Sequence, residues 1–252
     1  MIALNCKLVS TNEIAPNIYD FVIESNAIAL AATPGQFLHI RCGGETFLRR
    51  PISICDVSGN NIRFIFEVRG EGTKELSRCK IGDTLDVLAP LGIGFKPSIT
   101  KGGEILLVGG GIGTFPLLWL SKQFRGKAIS LLGYRNKNTV TLQDDFINSC
   151  QNVFVATDDG SLGYHGVITD IAEELIRSNK VGGIFACGPK PMLKIVAEAA
   201  NSKGIPCEVS MEQRMGCGVG ACMTCTCSVK GENVRVCKMG PVFNAKDVIF
   251  DD

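Results

Sequence analysis

The chain has 252 residues, with 26 Lys plus Arg against 25 Asp plus Glu and a net charge of +1. That length holds one large domain or two to three modest ones, each able to bury a core. The balanced charge supplies no positive field to gather phosphate backbones or anionic lipid, so neither nucleic acid nor a membrane surface is an expected partner.

The opening residues MIALNCKLVSTNEIAPNIYD carry no basic segment leading into an apolar run, and the longest apolar stretches are too short for a bilayer. A cytoplasmic location is the expectation. From residue 1 to 98 the chain reads as short β-rich runs: IALNCKLVS, IYDFVIE, QFLHIRC, PISICDV, NIRFIFEVR and TLDVLAP. Their spacing of about ten to fifteen residues, with Gly, Pro and Asn between and no helical periodicity, predicts an antiparallel β-barrel. After LGIGFKPSITKGG the pattern changes. From 99 to 209, short apolar strands such as EILLVGG, AISLLGY, NVFVAT and GIFAC alternate with helix-compatible segments such as TFPLLWLSKQF, VITDIAEELIRSN and MLKIVAEAANSKG. That alternation predicts a parallel α/β domain covered on both faces. The last strand, near PCEVSM, leads into a third, small domain over 210–252.

Twelve cysteines are many for such a chain. Cys6, Cys42, Cys55, Cys79, Cys150, Cys187 and Cys207 stand singly in apolar contexts, where a thiol behaves as a small hydrophobe. Cys217, Cys222, Cys225, Cys227 and Cys237 crowd into a Gly-rich segment of the 210–252 region. With no secretory leader a disulfide framework is disfavoured, and metal ligation is the better reading. The spacing Cys217-x4-Cys222-x2-Cys225, followed by Cys237 from a later strand, matches the plant-type [2Fe-2S] pattern. Gly216, Gly218 and Gly220 give such a loop the freedom to wrap a cluster. Zinc stays open as the alternative, although structural zinc usually draws on two C-x2-4-C knuckles and only one is present. Cys227 is the surplus thiol, expected to pack rather than ligate.

Val108-Gly109-Gly110-Gly111-Ile112-Gly113-Thr114-Phe115-Pro116 lies where a strand becomes a helix, so a pyrophosphate can approach its backbone and the positive helix end. A merely tight turn remains possible, because Pro116 replaces the third Gly of the common fingerprint. Asp158-Asp159-Gly160 and Cys187-Gly188 follow later strands, where the ligand crevice of an open α/β sheet belongs. In the barrel, Arg50-Pro51-Ile52-Ser53 precedes Gly70-Glu71-Gly72-Thr73. An Arg and a Gly-Thr turn suit a second pyrophosphate, and a Ser hydroxyl suits a flavin nitrogen; a surface Arg and a hairpin turn are the plainer reading. His39 and His165 read as structural, Trp119 as core, and Asp144 and Asp145 as partners of a helix dipole.

In this order, the motifs RPIS, GxGT, VGGGIGTFP, TDDGS and CGP resemble the ferredoxin–NAD(P) reductase-like flavoproteins. The C-terminal MEQRMGCGVGACMTCTC…VCKMGPVF looks most like the iron–sulfur electron-transfer subunit of NAD-dependent (class 1B) dihydroorotate dehydrogenase. The resemblance covers essentially the whole chain. It implies FAD on Arg50, Pro51, Ile52, Ser53, Ile65, Phe66, Glu67, Gly72 and Thr73, and a [2Fe-2S] cluster on Cys217, Cys222, Cys225 and Cys237. NAD is expected on Gly110, Gly111, Ile112, Gly113, Thr114, Asp158, Asp159, Gly160, Cys187 and Gly188, with Cys187 near the nicotinamide. Two positions depart from the family pattern: Ile52 replaces a frequent Tyr, and Glu67 a frequent Arg.

A nicotinamide moves electrons in pairs and a [2Fe-2S] cluster singly, so a flavin must stand between them. The resemblance supplies the partner, an FMN-containing dihydroorotate dehydrogenase catalytic subunit in a heterotetramer of two copies of each. Electrons from dihydroorotate would then reach NAD+ by way of the cluster and FAD. Met215, Val219, Ala221 and Met223 cannot all fold under a cluster that small, so some of them are expected to face outward as a contact patch. The rival readings are a diaphorase-type subunit of another redox complex, a free-standing flavin reductase and a zinc-bearing interaction module.

Overall fold

The computed structural model describes residues 1–178 and 180–250. Its first part comprises β1 (Ile2–Ala15), β2 (Ile18–Glu24), α1 (Asn26–Ala31), β3 (Phe37–Ile40), β4 (Arg50–Ser58), β5 (Asn61–Glu67), α2 (Glu71–Ser77) and β6 (Thr84–Leu91). The six strands close into an antiparallel barrel in the order β1-β2-β5-β4-β3-β6. The period of two is plain along β5, where Ile62, Phe64 and Phe66 point into the barrel core. Phe21 meets Phe66 there edge to face, with ring centroids 5.1 Å apart, an arrangement that aligns ring edge and ring face favourably. The helix α1 was not anticipated. At six residues it is too short to show periodicity, and it forms because the Ser25 hydroxyl accepts from the Ile28 amide while Ile28 is fully buried.

The second part runs β7 (Glu104–Gly110), α3 (Phe115–Gln123), β8 (Ala128–Tyr134), α4 (Gln143–Ile147), β9 (Asn152–Thr157), β10 (Tyr164–His165), α5 (Ile168–Arg177), β11 (Val181–Cys187), α6 (Lys190–Ser202) and β12 (Cys207–Ser210). These strands are parallel, in the order β10-β9-β8-β7-β11-β12. The third part holds the hairpin β13 (Thr226–Val229) and β14 (Glu232–Arg235), then α7 (Val236–Met239) and β15 (Val242–Asn244). β15 returns to the second part and pairs antiparallel with β12, extending its sheet to seven strands. Cys237 was expected on a later strand; it lies instead in α7, just past the end of β14. Among the described residues no helix is long and apolar enough to cross a membrane.

The barrel and the α/β part share an apolar interface. Over residues 115–120 α3 is apolar all round, and Phe115, Leu117, Leu118 and Leu120 are buried, which requires cover on most sides. The parallel sheet supplies one side and β4 another, with Trp119 lying against the barrel core. Charged pairs close the same seam. Lys122 on α3 bonds Asp56 on β4, and Arg63 of β5 spans Asp20 at 2.7 Å and Asp145 at 2.9 Å. Asp145 thus serves the domain seam as well as the first turn of α4.

Arg63→Ala leaves the two half-buried carboxylates facing each other, and should destabilise the protein by about 2–4 kcal/mol, whereas Asp145→Asn should cost only about 1 kcal/mol. Urea unfolding followed by flavin and tryptophan fluorescence would check this, and equal effects of the two changes would contradict it.

Candidate functional site

Three clusters of residues assemble where the parts meet. The first lies on the barrel. Arg50, Pro51, Ile52 and Ser53 run along the start of β4, and β5 carries Ile65, Phe66 and Glu67 beside them. The Arg50 guanidinium lies directly on Gly72: a β-carbon there would sit 2.5 Å from Arg50 Nε. A side chain there would push the guanidinium aside. Thr73 fixes the turn, its hydroxyl accepting from the Arg69 amide at 2.9 Å. A cationic fork meeting the exposed amides that open α2 is a fit cradle for a pyrophosphate. The side chains of Ile52 and Phe66, however, belong to the barrel core, so these two offer a ligand only their backbone. Glu67 is engaged by Arg69 at 2.7 Å, which keeps a cation close to a position where one is frequent in the family.

The second cluster lies at the carboxyl ends of the parallel strands. β7 and β11 are neighbours, with Cys187 opposite Gly109, and the strand order reverses between them, which is where an open α/β sheet has its ligand crevice. The turn Gly110-Gly111-Ile112-Gly113-Thr114 enters α3 there. Gly113 has no room for a side chain, since a β-carbon would strike the Cys187 carbonyl. Gly188 crosses close to Gly110. Pro116 falls in the first turn of α3, where no amide is needed, so its replacement of the third glycine is structurally neutral. The glycine turn also lies against β5, bringing the second cluster next to the first.

Asp158, Asp159 and Gly160 follow β9, two strands from β7. The Asp158 amide donates to the Tyr134 carbonyl at 3.0 Å and the Asp159 amide to that of Arg135 at 3.3 Å. The Ser161 hydroxyl holds the Asp159 carboxyl below its ordinary range. Arg135, exposed at the end of β8, was missed by the motif reading. The signal was available in its place directly after the strand AISLLGY. Burial pushes the Cys187 thiol up to about 12, partly offset by a hydrogen bond with Ser210, so near neutral pH it is a protonated contact group and not a nucleophile.

The third cluster is the cysteine loop between β12 and α7. Cys217 and Cys222 lie toward solvent, whereas Cys225 and Cys237 are buried. Among the described residues no group of three or more His, Cys, Asp or Glu side chains is gathered for one metal ion. The four thiols instead form two pairs. Cys217 and Cys222 exchange amide-to-sulfur bonds of 3.4 Å each, and the Cys237 amide donates to Cys225 Sγ at 3.4 Å. Amides of Val219 at 3.4 Å and Ala221 at 3.2 Å also point at Cys217 Sγ.

These donors act on the thiols. The Thr224 hydroxyl and the surrounding amides bring Cys222 down to about 6. Slight burial opposes the same effect at Cys217, but the amides outweigh it and its thiol is lowered. Burial, with Cys225 beside it, pushes Cys237 up to about 12. Two pairs of sulfurs met by backbone amides suit two irons bridged by sulfide, because amide bonds to sulfur stabilise the bound thiolates. Cys227 lies buried on β13, bonded into the hairpin opposite Val234, and burial pushes its thiol up to about 11. Of the expected contact patch, Val219, Ala221 and Met223 are exposed, but Met215 packs against the core. Met239 on α7 is exposed too, and the cysteine spacing alone gave no hint of it.

Residues 212–249 match the family model described as the iron–sulfur cluster binding domain of dihydroorotate dehydrogenase B. Curated relatives extend the likeness to nearly the whole chain. The dihydroorotate dehydrogenase B (NAD(+)) electron transfer subunit of Caldanaerobacter subterraneus subsp. tengcongensis is 38% identical, with 98% of each chain covered. That of Fusobacterium nucleatum is 41% identical, with 97% of each covered. Among solved structures, an NADH-dependent reduced ferredoxin–NADP oxidoreductase described for flavin-based electron bifurcation superimposes with a TM-score of 0.87 at 34% identity, covering 99% of this chain and 91% of that one. The ferredoxin–NADP+ reductase of Plasmodium falciparum, at 17% identity and a TM-score of 0.63 over 79% of this chain and 90% of that one, shares the fold. The identity to curated relatives over nearly the whole chain shows that this chain belongs to the family of dihydroorotate dehydrogenase B electron transfer subunits.

Proposed function

We propose that this chain carries electrons from an FMN-containing dihydroorotate dehydrogenase catalytic subunit to NAD+, working in the cytoplasm as part of a heterotetramer with two copies of each subunit. Residues 1–98 serve as the FAD domain, 99–209 as the NAD domain and 210–252 as the cluster domain. When bound, FAD joins the paired-electron chemistry of a nicotinamide to the single-electron chemistry of a [2Fe-2S] cluster. The observation that carries this reading is the cysteine loop, whose two sulfur pairs receive backbone amides.

In this reading Arg50 neutralises the FAD pyrophosphate over Gly72, Thr73 holds that turn, and Ser53 and the backbone of Pro51, Ile52, Ile65, Phe66 and Glu67 hold the flavin ring. Gly110 to Thr114 seat the NAD pyrophosphate, and Asp158 to Gly160 approach its adenosine end. Cys187 and Gly188 stand at the nicotinamide end, where the protonated thiol orients the ring and excludes water. Cys217, Cys222, Cys225 and Cys237 hold the cluster. In this reading dihydroorotate chemistry belongs to the partner. The exposed Val219, Ala221, Met223 and Met239 around the cysteine loop form the face that meets it. The solved structure at 34% identity favours a second reading, a diaphorase-type FAD and [2Fe-2S] subunit of another redox complex. Co-purification with dihydroorotate-oxidising activity from the native host separates the two.

Cys217→Ser, Cys222→Ser, Cys225→Ser and Cys237→Ser should each lose most of the bound iron, while Cys227→Ser should keep it. Iron and acid-labile sulfide per flavin measure this, and iron lost from Cys227→Ser but kept in Cys237→Ser would reverse the ligand assignment. The FAD-loaded chain alone should reduce dyes with NADH yet leave dihydroorotate untouched in an anaerobic orotate assay. Turnover of dihydroorotate by the chain alone would remove the need for the partner. Met223→Glu should weaken the complex with the FMN subunit by about tenfold or more, as burying a charge in the centre of an interface does, with NADH-to-dye activity retained. Unchanged affinity by titration calorimetry, for Met223→Glu and Met239→Glu alike, would place the interface elsewhere.

A further inference from the structure

His39 has no place in the nucleotide or cysteine motifs, yet it lies between them. Along β3 the side chains alternate: Leu38 and Ile40 fill the barrel core, while Phe37 points the other way and joins the core that contains Cys225 and Cys237. His39 is on the same outward side as Phe37. Its cross-strand neighbour on β4 is Pro51, within the stretch assigned to the flavin. Its ring rests on Gly218, the residue after Cys217, so closely that any β-carbon there would overlap Nδ1. Gly218 has φ +71°, a conformation that leaves the loop backbone curled over the ring.

The imidazole is fully buried, and neither Nδ1 nor Nε2 has a hydrogen-bond partner among the described residues. Burial, helped by the Arg49 charge, brings His39 down to about 4. The ring is therefore neutral, with one N–H to donate. A buried N–H without an acceptor is costly, and native proteins rarely leave one unexplained. The Arg49 side chain supplies no acceptor, since it donates to the His39 carbonyl and to Asp86. What the protein itself lacks at this point, a ligand rich in sulfur acceptors would provide.

We propose that His39 donates its N–H to a sulfur of the [2Fe-2S] cluster, from a position between the flavin strand and the cysteine loop, and so sets the potential of the cluster on its flavin-facing side. The inference rests on the assignment of the cluster to Cys217, Cys222, Cys225 and Cys237. A hydrogen bond to sulfur stabilises the added negative charge of the reduced cluster and raises its potential. The same contact ties the cluster loop to the strand that holds the flavin.

The test uses the whole FAD-loaded protein with 15N-labelled histidine, reduced by dithionite and examined by pulsed EPR together with a redox titration. Wild-type protein and His165→Gln should both show a weakly coupled histidine 15N on the cluster signal. His39→Leu should lose it, with reduction disfavoured about tenfold, a fall of about 59 mV for one electron. His39→Gln, which keeps an N–H donor, should recover part of that shift. A normal cluster spectrum with no histidine coupling in wild-type protein would overturn the role of His39 alone, even if His39→Leu failed to hold a cluster. An unchanged potential in His39→Leu would overturn it equally. Absence of any cluster signal in iron-replete wild-type protein would overturn the cluster assignment and this inference with it.

Discussion

The arrangement of the three sites depends on one short antiparallel ladder, Glu208 to Ser210 of β12 against Val242 to Asn244 of β15. Between those strands the chain leaves the sheet, wraps the cysteine loop, turns through a hairpin and returns. Closing so long a loop costs conformational entropy, and the ladder recovers it with backbone bonds that reach into the barrel as well. The Met211 amide donates to the Pro241 carbonyl, the Ile93 amide to that of Gly240, and the Val242 amide to that of Ile93. Glu208 adds a side-chain tie, its buried carboxylate accepting from the Lys96 amide at 2.7 Å. Barrel, sheet and cysteine loop therefore share one junction, and the distances between their sites are set there.

That junction also explains why the sites need so few dedicated side chains. Gly113 works by letting the Cys187 carbonyl approach, Gly72 by admitting the Arg50 guanidinium, and Gly218 by admitting the His39 ring. At each point the chemistry depends on a backbone meeting something large at short range. Two ion pairs cross the seam, Arg63 with Asp145 and Lys122 with Asp56, and hold the barrel to the α/β part. Two-electron and one-electron carriers must keep fixed spacing, and a seam that combines apolar packing with ion pairs resists the hinge motion that would change it.

Much of this was legible in the sequence because the signals are local. Six β-runs with turn residues between them gave the barrel, strand-helix alternation gave the parallel sheet, and cysteine spacing gave the third part. What escaped was set by tertiary contact. β15 is three residues long and has meaning only beside β12. Ile52 and Phe66 sit within ligand-binding stretches, but the alternation of their strands turns their side chains inward. Met215 read as part of an exposed loop, and packing claimed it. Cys237 was expected on a strand, and the helix that carries it is a single turn that no periodicity could reveal. His39 looked structural because a lone histidine in FLHI usually is; its meaning lies in what a residue far along the chain, Gly218, places against it.

The seven-stranded sheet ends at both sides in very short strands, Tyr164–His165 at one edge and Val242–Asn244 at the other. Two or three residues present too few free amides and carbonyls to template another chain. At those two strands, association by strand addition is thereby disfavoured, whether with a stray copy of the chain or with a partner that would extend the sheet. If the partner meets the surface around the cysteines as proposed, those short edges let side chains on loops do the recognising while the sheet itself offers little to open-ended polymerisation.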